Sequence, residues 1–170
     1  MIRLVKELRG RGNMAIFGIV DRDDQNRSAD GVMVNPEAYT LENLILHPGA
    51  IGSLLMRDGE LTPESIGLPR EVRSYSMDAS DLQVAADHIA QAAPDQSRLQ
   101  TLELVNGTEL SMPIWFLNHD GHSLHDWLKE EFPKLRRHND LMGAVCNLVY
   151  GDCPGLVPRS VWDLFNQLGS

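Results

Sequence analysis

The run Ala15-Ile-Phe-Gly-Ile-Val20 ends abruptly in Asp21-Arg22-Asp23, and this junction constrains the fold more than any other stretch of the chain. Six residues without a polar side chain or an alternation are the pattern of a strand covered on both faces, as in a parallel sheet. Such a strand delivers whatever follows it to the carboxyl edge of the sheet, where open α/β folds bind their ligands. Asp21 and Asp23 are two positions apart, so in extended backbone their carboxylates point the same way. Two carboxylates so close repel each other unless a cation or a shared proton lies between them. Mg²⁺ or Mn²⁺ meets that need, because hard cations take oxygen ligands and are commonly held by one or two carboxylates. Asp21 and Asp23 are therefore the candidate metal ligands and the candidate catalytic pair; the alternative is a solvated acidic turn in which Asp23 or Asp24 caps a backbone amide.

The rest of the chain reads as mixed α/β in a single domain. Met1 to Arg9 is expected to form a short helix stopped by Gly10 and Gly12, and residues 31–35 a second strand. Helices are expected at 41–46 and 50–56, while Gly59, Pro63, Gly67 and Pro69 mark residues 57–78 as loop. Leu82, Ala85, Ala86 and Ile89 define one face of a helix capped by Asp78 or Ser80 and ended by Pro94. The runs 99–105 and 108–116 flank Asn106-Gly107, which predicts a hairpin whose two turn residues both take positive φ. In its second strand Leu110, Met112, Ile114 and Phe116 alternate. Three helices close the chain. Ser123 with Asp126 resembles a capping box ahead of Leu124, Trp127 and Leu128. Leu141, Val145, Leu148 and Val149 mark a further helix, and Ser160 caps a last one with Val161, Leu164, Phe165 and Leu168 inward.

Composition narrows the function classes. Fifteen Lys and Arg against 24 Asp and Glu give a net charge of −9. That balance argues against charge-driven wrapping of nucleic acid, which needs a basic surface to release counterions. It leaves open a site that reaches phosphate through metal ions. An apolar share of 42% excludes disorder of the whole chain. The apolar runs are too short to span a bilayer, and charges interrupt the N-terminal residues where a signal peptide would be uniform. A cytoplasmic protein without a membrane partner is expected. Two cysteines cannot build a disulfide framework. No Gly-x-x-x-x-Gly-Lys loop occurs, so any ATPase would be a separate protein.

Phe17-Gly-Ile-Val-Asp-Arg-Asp23, then Val32-Met-Val34, then Leu41-Glu-Asn-Leu-Ile-Leu46, resembles the Toprim-type domain of the OLD (overcoming lysogenization defect) nucleases. It is most similar to the Toprim-like proteins found beside ABC-type ATPases, which include the nuclease subunit of the PARIS anti-phage system. The resemblance covers residues 14–47 and, more loosely, 110–132. It implies a partial Toprim-like (Rossmannoid) sheet within residues 1–56, loop and helix in 57–98, and a β-hairpin plus C-terminal helices in 99–170. It also implies metal-dependent cleavage of nucleic-acid phosphodiesters in anti-phage defence. Asp21 and Asp23 would hold Mg²⁺ or Mn²⁺, Glu42 would be an auxiliary catalytic carboxylate, and Asn43 would help to hold the loop. An ABC-type or AAA ATPase would be the partner.

In that family a strand ending in a catalytic Glu precedes the Asp-x-Asp strand. Here 14 residues precede Ala15, and Glu7 lies inside the expected first helix. The chain is thus expected to be a late-starting or reduced Toprim domain that depends on its partner or on an N-terminal segment. His122 follows Gly121 where relatives often carry Lys.

Two rival functions follow from the same residues. A catalytically degenerate Toprim-like module would bind and regulate without cleaving. A small phosphohydrolase would use Asp21 as nucleophile and Asp23 as general acid, although the Ser/Thr, Lys and paired-Asp motifs of haloacid-dehalogenase phosphatases are not evident. His119, His122 and His125 recur every three residues but straddle an expected helix start, so they read as surface or capping residues. Cys146 and the three tryptophans, Trp115, Trp127 and Trp162, read as packing residues. Lys134, Arg136, Arg137 and His138 form a basic run that reads as a solvated face.

Overall fold

A computed structural model describes residues 9–11, 18–20, 32–34 and 38–169, with backbone alone for 18–20, 32–34, 165 and 167–169. The expected helix Met1 to Arg9 lies outside these residues except for Arg9. The described chain is mixed α/β. Strands β1 (Gly18–Val20) and β2 (Val32–Val34) pair in parallel, with Gly18, Ile19 and Val20 opposite Val32, Met33 and Val34. Helices α1 (Leu41–Ile45), α2 (Pro48–Arg57) and α3 (Ala79–Ala90) follow. Next comes an antiparallel hairpin of β3 (Leu99–Glu103) and β4 (Glu109–Pro113). Helices α4 (Trp115–Asn118), α5 (Gly121–Glu131), α6 (Leu141–Asn147) and α7 (Arg159–Gly169) complete the order. Among the described residues no helix is long and apolar enough to cross a membrane.

The core is built by the apolar faces of these elements. Leu44 of α1, Ile51 and Leu54 of α2, Ile89 of α3, Leu102, Leu110 and Met112 of the hairpin, and Phe116 and Leu124 are all fully buried. Each such side chain contributes about 1.5–3 kcal/mol by leaving water. Helices α2 and α3 approach closely at Gly52, where an added Cβ would lie 2.9 Å from the carbonyl oxygen of Ala85. The α3 helix is capped by Asp78, whose carboxylate accepts the Asp81 N–H at 2.9 Å. Of the two expected caps, Asp78 takes the role and Ser80 bonds to it at 2.8 Å.

A buried imidazole joins the middle of the chain to its end. His47 is the N-cap of α2, and its Nδ1 accepts the Ala50 N–H at 3.3 Å. The other nitrogen must then carry the proton, and Nε2 donates it to the carbonyl of Leu156 at 3.1 Å. Burial lowers the His47 pKa to about 4, opposed in part by the Leu156 bond, so the ring is neutral.

Four local expectations need correction. The hairpin turn spans three residues, closed by Leu104 N–H to Thr108 O at 2.8 Å. Gly107 alone takes a positive φ, +83°, while the Asn106 side chain accepts the Thr108 N–H at 3.0 Å. An Asx turn therefore replaces the left-handed Asn of a two-residue turn. The second strand stops at Pro113, and Trp115 to Asn118 coil into α4, so Ile114 and Phe116 do not continue the alternation. Helix α5 starts at Gly121 rather than Ser123, because Asp120 accepts the Ser123 N–H at 3.0 Å and is the true cap. Ser160 lies within α7, and its hydroxyl is buried without a partner instead of capping.

Candidate functional site

Parallel pairing sets the carboxyl ends of β1 and β2 side by side, with Val20 opposite Val34. The residue after Val20 is Asp21. Asp21 and Asp23 themselves, the expected metal ligands, lie outside the described residues. The third expected catalytic residue, Glu42, is described. It stands in the first turn of α1, is half-buried, and faces the start of α5.

Glu42, Leu46, Gly121, His122, His125 and Met142 line a cleft of about 120 Å³ between α1, α5 and α6. The geometry depends on Gly121. A Cβ there would overlap Glu42 Oε2 and lie 2.6 Å from Thr40 Oγ1, so only glycine lets α5 start this close to α1. A carboxylate against the first turn of a helix is favourably placed, because the unpaired N–H groups there carry partial positive charge. Asp120 shares that environment. The Ser123 backbone N–H, above all, holds its carboxyl below the usual range.

His122 and His125, three residues apart on α5, share one face of the helix and both line the cleft. His125 Nδ1 lies 3.3 Å from Asp126 Oδ1. His119 is elsewhere, stacked on the Trp115 ring with centroids 4.5 Å apart. The three histidines therefore do not converge, in line with the reading from their spacing. Among the described residues no three His, Cys, Asp or Glu side chains are grouped closely enough to hold a metal ion.

Asn43 builds the site from behind. It is fully buried, and its Nδ2 donates to the carbonyls of Phe116 at 2.7 Å and His119 at 2.9 Å. Its Oδ1 accepts from the Thr40 N–H at 2.8 Å and the Thr40 hydroxyl at 2.6 Å. One amide thus caps α1 and ties it to the α4–α5 junction. The segment it holds is the approach to Gly121. Nothing in the spacing of Asn43 announced that long-range partner; its place directly after Glu42 in a polar pair was the only signal.

The remaining candidates are structural. Lys134 bonds to Glu60 at 2.8 Å and Arg137 to the same carboxylate at 2.9 Å. His138 Nε2 meets Asp58 Oδ2 at 2.7 Å. The basic run is thus a staple between the end of α2 and the 3₁₀ turn Pro133–Arg137. Cys153 is buried and its thiol donates to the Ser74 carbonyl at 3.3 Å. Burial raises the pKa of both cysteine thiols, which makes them poor nucleophiles. Trp115 and Trp127 pack edge to face at 4.7 Å, as packing anchors do. Trp162, expected as a core or helix-packing residue, is 45% exposed on α7.

Comparison of the chain with protein-family models, with curated proteins and with solved structures gave no match in any of the three.

Proposed function

We propose that the chain is a Toprim-type effector that cleaves nucleic-acid phosphodiesters with Mg²⁺ or Mn²⁺, working with an ABC-type or AAA ATPase partner. The observation that carries this reading is the parallel pairing of β1 with β2, since an Asp-x-Asp directly after a parallel strand has the setting that metal-dependent phosphoryl chemistry uses. Asp21 and Asp23 offer the hard oxygen donors that such a cation takes. Glu42, which packs against α5 beside two imidazoles, would serve as an auxiliary carboxylate. The bound cation would supply charge stabilisation at the phosphate and a more acidic water.

A second reading, a Toprim-like module that binds a partner without cleaving, is favoured by the same contact at Gly121. There Glu42 acts as a packing group, and the next residue is His122 where relatives often carry Lys.

Nicking of supercoiled plasmid in Mn²⁺ or Mg²⁺ tests the first reading, with Asp21→Asn and Asp23→Asn as controls. Cleavage lost in both variants supports it. Mn²⁺ binding by calorimetry that both substitutions abolish, with no cleavage, supports the module. Hydrolysis of p-nitrophenyl phosphate without action on DNA would sink both and favour a small phosphohydrolase.

A further inference from the structure

Tyr150 and Trp162 are large aromatic side chains that the core does not take up. Tyr150 is 52% exposed and Trp162 45%, and both line one open cavity of about 440 Å³ together with Val157 and Asn166. That volume lies within the range of about 300–1,000 Å³ in which small-molecule sites fall. The cavity shares no residue with the Glu42 cleft, and none of its four lining residues is charged.

Three consecutive pieces of chain build it. Helix α6 runs on into a π turn, Leu148–Asp152, closed by the Cys153 N–H on the Leu148 carbonyl at 2.8 Å. Such turns are rare and recur at functional sites. Here Leu148 and Val149 stay in the core while Tyr150 is left outside it. The 3₁₀ turn Pro154–Leu156 then brings the chain round to Val157, which is buried and has its carbonyl pinned by the Val105 N–H at 2.8 Å. Helix α7 follows, and Trp162 and Asn166, four positions apart, share one of its faces. The two aromatic rings thus stand on separate elements joined by a fixed apolar residue.

Their polar ends are unused. Among the described residues neither ring contacts another ring, and no hydrogen bond is made by the Tyr150 hydroxyl, the Trp162 indole N–H or the Asn166 amide. An uncharged cavity with two π faces and a free amide suits a flat neutral ring with a polar edge. An aliphatic chain would leave the amide unpaired, and a phosphate would find no cation. The asparagine amide sets one donor beside one acceptor. Adenine presents the reverse pair at its amino group and N7, whereas guanine presents two acceptors at that edge.

We propose that Tyr150, Trp162 and Asn166 form a binding site for an adenine ring, stacked on the aromatic side chains and read at its edge by the amide. The ring belongs either to a free nucleoside or to an unpaired base of a single strand, since both present the same faces and edge. The site stands apart from the metal-dependent reading of Asp21 and Asp23 and does not rest on it.

Calorimetric titration of the full chain with adenosine, up to about 10 mM, covers the weak affinity that one stacked base gives. Binding is expected, with the indole N–H signal of Trp162 shifting in NMR spectra and those of Trp115 and Trp127 staying in place. Tyr150→Ala and Trp162→Ala should each weaken binding by about fivefold or more, and Trp162→Phe should restore most of the loss. Asn166→Ala should remove the preference for adenosine over purine riboside, which lacks the amino group. If Trp162→Ala fails to fold, Trp162→Leu, which is apolar without a π face, takes its place. An oligodeoxyadenylate of about eight nucleotides separates the two sources: affinity more than about tenfold above that of adenosine assigns the site to a single strand, and a smaller difference to a free nucleoside. Either result upholds the proposal. It is overturned if neither adenosine nor the oligonucleotide binds, if binding survives both aromatic substitutions, or if the unmodified chain takes purine riboside as tightly as adenosine.

Discussion

His47 Nε2 and the carbonyl of Leu156, 109 residues apart in the chain, are joined by a 3.1 Å hydrogen bond inside the core. The bond requires a neutral ring, because Nδ1 is occupied as an acceptor by Ala50. In the unfolded chain His47 takes up a proton near its ordinary pKa of 6.5, whereas in the folded chain it resists to about 4. Between these values the unfolded state binds more protons, so stability falls as pH falls. Its contribution is complete above about pH 6.5 and declines by about 3 kcal/mol on reaching pH 4. Urea unfolding from pH 4 to 8 measures this. In His47→Gln the slope over that window should flatten relative to the unmodified chain, and an unchanged slope would refute the assignment.

Asn43 faces two carbonyls with one amide nitrogen. Asn43→Asp replaces that donor with oxygen, leaving two buried acceptors opposed to a third. Its cost should exceed that of Asn43→Ala, for which about 3 kcal/mol is expected from the lost cap and the unpaired carbonyls. Chemical denaturation of the two variants gives the ranking.

Gly52 and Gly121 are both sites of close approach, yet their neighbours differ in how far they can yield. At Gly52 the obstacle is the Ala85 backbone, so Gly52→Ala must push α2 and α3 apart at about 2–3 kcal/mol. At Gly121 the nearest atom ends a long Glu42 side chain that can swing away, while Thr40 is held by Asn43. Gly121→Ala is therefore expected to cost less, about 1–2 kcal/mol, and to displace Glu42 from the cleft. Melting temperatures and a crystal structure of the second variant check both statements.

Gln83→Met retains the length of the side chain but releases the Ser111 N–H and C=O. A loss of about 1 kcal/mol is expected, together with new association through the opened β4 edge. Light scattering before and after the substitution shows whether the amide protects that edge.

The sequence was most legible where one face of one element decides the outcome. Leu82, Ala85, Ala86 and Ile89 are buried as their spacing requires, and the apolar residues of β4 alternate until Pro113. It was least legible where a choice depends on residues distant in the chain. The start of α5 was a local misreading, since Asp120 caps it through a bond to Ser123 only three residues on, whereas the meeting of α5 with α1 at Gly121 is a contact no local pattern encodes. The same holds for His47, which sits in an ordinary His-Pro-Gly stretch and becomes buried only because the segment around Leu156 closes over it. At the site, Glu42 was visible as a carboxylate in a first helical turn. Its neighbours His122 and His125 could be named but not brought to it, since nothing short of the packed fold sets α5 beside α1.

The staple of Asp58, Glu60, Lys134, Arg137 and His138 bears on how a polyanion would meet this molecule. Lys134 holds the Glu60 carboxyl below its ordinary range, with Arg137 adding to the effect. A phosphate arriving at the run would thus enter a competition with anions already seated on short, direct bonds. Each cation it captured would release a tether between the end of α2 and the turn that follows α5. Affinity and local rigidity are therefore set against each other at that face.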